Sequence, residues 1–134
     1  MNAMNNSEDI VQLVVVNYLK LQYPKVRFLA NYLSGARLPI YLAVKAKNLG
    51  QAGQGTPDLF IFHNNGINTM LVLELKANDS KPFKKNGMLK SNEHLLKQSN
   101  YLAYLNGQGA FATFATGTSE AIEIINNYMQ VNAK

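Results

Sequence analysis

Apolar residues recur at Ile10, Leu13, Val14 and Leu21, with Val11, Val15 and Tyr18 adjoining, and this spacing predicts an amphipathic helix over residues 7–21. Ser7 suits its N-cap, and Glu8 and Asp9 occupy the first turn, where the helix dipole favours negative charge. Pro24 stops the helix, because the residue before a proline is driven out of the helical region. Residues 26–33 are short and rich in aromatic and branched side chains, a strand pattern, and Pro39 then suits the start of a helix running to Leu49. Glycines 50, 53 and 55 punctuate a loop that leads flexibly into a strand at 58–63. Phe60 and Phe62 on one face of that strand and Leu59 and Ile61 on the other are all apolar, as expected of a strand inside a sheet.

Asn64-Asn65-Gly66 is a hairpin turn signal. The chain returns as a strand over 69–77, with Met70, Val72, Glu74 and Lys76 on one face and Leu71, Leu73 and Leu75 on the other. Residues 79–90, which hold Lys81, Lys84, Lys85 and Lys90, read as a basic, mobile loop. Ser91 is expected to cap a helix that runs to Asn106 and ends at Gly107. A short buried strand follows at 110–115, and Thr118 is expected to cap a last helix carrying Ala121, Ile122, Ile125 and Tyr128 at helical spacing. The order α, β, α, β, β, α, β, α describes an α/β fold: a mixed β-sheet containing an antiparallel hairpin, with helices on both faces. No repeat or linker interrupts it, so a single domain is expected over 7–130, with 1–6 and 131–134 as flexible termini.

Composition narrows the function. A chain of 134 residues with 47% hydrophobic and 16% charged side chains is long and apolar enough for one core. Lys and Arg number 13 against 8 Asp and Glu, and the resulting charge of +5 favours a polyanionic partner, nucleic acid foremost. The absence of cysteine excludes disulfides, thiolate zinc sites and cysteine nucleophiles, and suits a reducing compartment. The first ten residues show no secretory pattern, and apolar stretches such as Leu13–Val16 fall far short of the roughly 20 residues of a membrane-spanning helix, so a cytoplasmic protein without a membrane partner is expected. No Gly-Lys-Ser/Thr follows the glycines at 50–55, which argues against a nucleotide-binding loop, and neither a His-Glu-x-x-His nor a Gly-x-Ser-x-Gly run occurs.

The chemistry concentrates in the hairpin. In an antiparallel pair joined at 64–68, the start of the first strand lies beside the end of the second, which brings Asp58 next to Glu74 and Lys76. Glu74 and Lys76 are two apart and share a face. Two hard carboxylates suit Mg²⁺ or Mn²⁺, and the lysine suits orienting a water and stabilising charge on a phosphate, which together describe phosphodiester hydrolysis. The same residues also compose an ion pair at a strand end, worth about 0–1 kcal/mol if exposed. Spacing alone admits both.

The run Gly55-Thr56-Pro57-Asp58, followed by Leu73-Glu74-Leu75-Lys76, resembles the Pro-Asp…(Asp/Glu)-x-Lys signature of the PD-(D/E)XK nuclease superfamily. Within it the chain is similar to the virus-type replication-repair nuclease (VRR-NUC) branch: an N-terminal helix with a Glu, a G-x-P-D run, an E-x-K strand and a Gln-bearing helix before another strand occur in order over residues 7–129. The resemblance implies a restriction-endonuclease-like core and a Mg²⁺-dependent DNA endonuclease, with Mn²⁺ as substitute. It implies Asp58, Glu74 and the Leu75 backbone carbonyl as metal ligands, Lys76 assisting water, Gln98 as the helix glutamine and Glu8 as the acidic residue of the first helix. It further implies selectivity for branched or junction DNA, such as a Holliday junction, in replication, repair or phage settings.

A homodimer is expected, since one small domain does not easily span a junction, and Val11, Val15 or the tyrosine faces are candidates for its surface. Lys81, Lys84, Lys85 and Lys90 suit tracking a DNA backbone, Arg37 with Lys45 and Lys47 extends that surface, and His94, one helical turn from Gln98, suits touching a phosphate. Two other readings share these residues: a non-catalytic DNA-binding module with a nuclease-like fold, and a protein-interaction domain whose carboxylates only form ion pairs.

Overall fold

A computed structural model describes residues 7–31 and 39–131; Arg37 and the terminal segments 1–6 and 132–134 lie outside the described residues. The elements are α1 (Ser7–Gln22), β1 (Arg27–Ala30), α2 (Ile40–Asn48), β2 (Leu59–Phe62), β3 (Leu71–Lys76), α3 (Glu93–Gly107), β4 (Phe111–Thr116) and α4 (Gly117–Met129). Their order is the expected one. Among the described residues no helix is long and apolar enough to cross a membrane.

The four strands form one sheet in the order β1-β2-β3-β4. β1 and β3 both run antiparallel to β2, and β4 runs parallel to β3, reached through α3 as a crossover helix. All six residues of β3 are buried, because a helix layer covers each side of it. On one side Leu71, Leu73 and Leu75 pack with Val11, Val15 and Leu19 of α1 and Ala121, Ile125 and Tyr128 of α4. On the other side Val72 joins Ala112 and Phe114 of β4 and Leu102 of α3. Alternation then carries Glu74 and Lys76 onto the face that Val72 occupies. Val11 and Val15 are therefore core residues that pack inside the chain, and neither supplies a dimer surface.

Two helix starts differ from expectation. Asn92 caps α3, its side chain accepting the Leu95 N–H at 3.1 Å, one residue beyond Ser91. The cap position of α4 is Thr116, because Gly117, at φ 83°, turns the chain directly from β4 into the helix. Residues 79–90 also carry more order than a mobile loop. Phe83 and Leu89 form an antiparallel bridge, Lys84 N–H donates to the Met88 carbonyl at 2.7 Å, and Lys90 N–H donates to the Pro82 carbonyl at 2.9 Å, making a small hairpin.

Candidate active site

Asp58 precedes β2, where Leu59 pairs with Leu73, so extending the register by one residue sets Asp58 opposite Glu74. Its Oδ2 accepts the Leu75 N–H at 2.8 Å, which ties the carboxylate to the end of β3. Its carbonyl accepts the Asn31 N–H at 2.7 Å and the Gln12 side-chain amide at 3.1 Å. Main chain and side chain of Asp58 are thus both fixed, on opposite sides, by other elements.

Glu74 is only 1% exposed, and its Oε1 is buried with no hydrogen-bond partner among the described residues. Burial pushes its carboxyl up to about 11; the hydrogen bond and charge of neighbouring Asp58 push in the same direction, Glu8 adds to them, and only Lys76 opposes. The metal-free protein therefore holds Glu74 protonated at neutral pH. Glu8, half-buried in the first turn of α1, is raised for the same leading reason, with Lys76 lowering it and Asp58, Asp9 and Asp79 raising it. Glu8 thus belongs to the same electrostatic cluster.

Lys76 is 5% exposed and donates from Nζ to Oε1 of Gln98 at 2.8 Å. Gln98, buried to 2% exposure, in turn sets Nε2 against His94 Nε2 at 3.1 Å. An ammonium only donates, so the amide oxygen must face Lys76 and the amide nitrogen His94; that nitrogen also only donates, so His94 Nε2 accepts and its ring proton sits on Nδ1. His94, itself exposed, is thereby linked through Gln98 to a buried lysine.

Gly55 explains how α3 comes so close. At φ +76° its α-carbon packs on the helix backbone, and an added Cβ would lie 2.6 Å from Gln98 N and 2.7 Å from Lys97 O. The glycine is a tight contact, not the flexible lead-in that its neighbours suggest. Lys81, Lys84 and Lys85 are exposed around a cavity next to Phe114, while Lys90 is exposed on the return arm of the small hairpin.

Asp58, Glu74, Lys76 and Gln98 thus converge, with Glu8 at the edge and His94 behind Gln98. Gln12 and Phe114 escape the sequence reading. Gln12 lies one helical turn after Glu8, a spacing that puts both on one face of α1 and could have marked it. Phe114 pairs with Glu74 only through the parallel β3–β4 register, which no local pattern reveals.

No protein-family model and no curated protein matches the sequence. Among solved structures, the chain is similar to one described as a "VRR_NUC domain protein", at 27% identity and a TM-score of 0.63, over 94% of this chain and 90% of that one. The chain folds as a VRR-NUC domain. The superfamily to which such domains belong is PD-(D/E)XK, and the mixed sheet with its flanking helices is consistent with a restriction-endonuclease-like core. In this VRR-NUC domain, the Pro57-Asp58 and Glu74-Leu75-Lys76 runs that carry the resemblance sit on adjacent strand ends.

Proposed function

We propose that this VRR-NUC domain is a Mg²⁺-dependent DNA endonuclease, with Mn²⁺ as substitute, that hydrolyses phosphodiester bonds in branched or junction DNA. The observation that carries the reading is the orphaned, buried Oε1 of Glu74 beside the carboxylate of Asp58, with a buried ammonium two residues further on. A protein does not bury two neighbouring carboxyls and a lysine at this cost without compensation, and a divalent cation supplies it.

The donor set fits a magnesium ion: two carboxylates, Asp58 and Glu74, with the Leu75 carbonyl between Glu74 and Lys76 and Glu8 alongside. Among the described residues no group of three or more His, Asp or Glu side chains is placed to hold a cation. The two carboxylates would therefore have to be completed by main-chain, water and phosphate oxygens. When bound, such a cation supplies Lewis acidity toward a phosphate oxygen and a water. The Leu75 N–H orients Asp58 through Oδ2. Lys76, steered by Gln98, holds a positive charge where negative charge develops on the phosphate and orients the attacking water. Lys81, Lys84, Lys85 and Lys90 neutralise flanking phosphates, and His94 adds a contact at the start of α3.

The proposal includes a homodimer. Its surface is α2, where Ile40, Tyr41 and Val44 are exposed within nine residues, since Val11 and Val15 are taken by the core. Light scattering at micromolar concentration is expected to return twice the monomer mass; a strict monomer contradicts this part of the reading.

Calorimetric titration with Mn²⁺ tests the metal site itself. Wild type is expected to bind and Glu74→Ala to lose binding; equal binding by both places the ion elsewhere and removes the proposed chemistry.

A further inference from the structure

A cavity of about 570 Å³ lies beside the carboxylate cluster and shares one wall with it. The shared wall is Phe114. Lys76 Nζ stands 6.0 Å from the centroid of that ring, and Phe83, on the cavity side, meets it edge-on at 5.7 Å. Lys81, Lys84 and Lys85 also line the cavity, against one carboxylate, Glu120, whose Oε1 is engaged by the Thr116 N–H at 3.3 Å. Its volume falls in the range of small-molecule sites.

Phe83 is 46% exposed, which leaves part of its ring open to a ligand. The bridge to Leu89 and the bond from Lys84 N–H to the Met88 carbonyl fix the small hairpin that presents it, and Phe114 braces the ring. Little ordering remains to be done when a ligand arrives. What the cavity offers is an aromatic surface, three ammonium groups and a neighbouring lysine one ring away. A ligand that answers all of them joins a flat aromatic group to phosphate, which is the description of a nucleotide in a single strand.

We propose that this cavity is a subsite for one unpaired nucleotide next to the phosphate at Lys76, its base against Phe83 and its own phosphate among Lys81, Lys84 and Lys85. A base inside a duplex has both faces covered by its neighbours, so only an unstacked base enters. The subsite therefore makes single-stranded character at the cut the recognised feature, and it accounts for selection of flaps and forks over continuous duplex. It rests on the DNA-cleavage reading for its location but not for its test, which needs no metal.

The test is binding in the presence of a chelator, with a single-stranded oligonucleotide carrying one 2-aminopurine and a duplex of the same length as probes. Wild type is expected to quench the 2-aminopurine and to prefer the single strand. Phe83→Leu, which keeps the bulk and loses the ring, is expected to abolish quenching and weaken single-strand binding about tenfold, with duplex binding unchanged. Phe83→Tyr is expected to restore both. Quenching that survives Phe83→Leu, or equal losses on single strand and duplex, overturns the subsite. A wild type that quenches but cuts no DNA in Mg²⁺ keeps the subsite and removes the nuclease reading. One that cuts DNA, with Phe83→Leu binding single strands as wild type does, removes the subsite alone.

Discussion

Lys76 on β3 and Gln98 on α3 are joined by a 2.8 Å hydrogen bond from ammonium to amide oxygen, with both side chains buried. A buried charge that loses its acceptor bears the desolvation cost unrelieved, which exceeds the roughly 1–3 kcal/mol of a neutral group. Gln98→Leu is therefore expected to lower stability by at least about 3 kcal/mol. Lys76→Met alone leaves an amide oxygen orphaned, whereas the double variant leaves neither group, so the double variant is expected to be less destabilised than the sum of the singles. Chemical denaturation of all four proteins measures this coupling; strict additivity contradicts the link.

Glu74 gives a pH dependence with a definite sign. Its carboxyl titrates near 4.5 in the unfolded chain and near 11 in the metal-free fold. Between those values the native state holds a proton that the unfolded state has released. The stability contribution is fully present below pH 4.5 and is lost progressively as pH rises toward 11. Glu74→Gln mimics the protonated form, so at pH 8 without metal it is expected to melt higher than wild type and to flatten the decline with pH. Thermal melts across pH 5–9 check it, and an unchanged slope contradicts the raised carboxyl.

Gly55 and Gly50 both adopt positive φ, but only Gly55 touches α3. Gly50→Ala meets open space and is expected to cost only the left-handed backbone, roughly 1–2 kcal/mol. Gly55→Ala adds a clash with the helix backbone that no side-chain rotation relieves, and is expected to cost at least twice as much and to displace Gln98 from Lys76. Denaturation of the two variants side by side measures the difference.

Much of the site is legible in the sequence because the hairpin is locally determined. The strands are joined through residues 63–70, which contain the Asn64-Asn65-Gly66 signal, and the apolar alternation on both sides of that connection fits the register that brings Asp58 to Glu74. The small hairpin at 83–89 follows the same logic, since Asn86-Gly87 is a turn signal; four nearby lysines make the segment look like a mobile loop instead. Features that depend on contact between distant elements are not legible from local pattern. Gln98 is marked only by the family resemblance, and its bond to Lys76 appears only when α3 lies against β3; Gly55 looks like a hinge until the same helix packs on it. Val11 and Val15 look free for a partner until α4 and β3 cover them.

The lysines predict a salt effect. Each phosphate neutralised by Lys84 or Lys85 contributes about 0.7–0.9 to the slope of log affinity against log salt. Lys84→Gln with Lys85→Gln is expected to reduce the slope by somewhat less than 2, leaving the fold unchanged because both side chains are exposed. Anisotropy titrations between 50 and 200 mM salt, a range over which such slopes are read, provide the check. An unchanged slope places the DNA elsewhere.

Cleavage of labelled duplex, single-stranded, flapped and four-way junction DNA in Mg²⁺, comparing wild type with Glu74→Ala and Lys76→Ala, decides whether the domain is a nuclease. Wild type is expected to cut, with branched substrates ahead of continuous duplex, and both variants are expected to lose cutting while still binding DNA. Cutting that persists in either variant, or a wild type that binds every substrate and cuts none, contradicts the account.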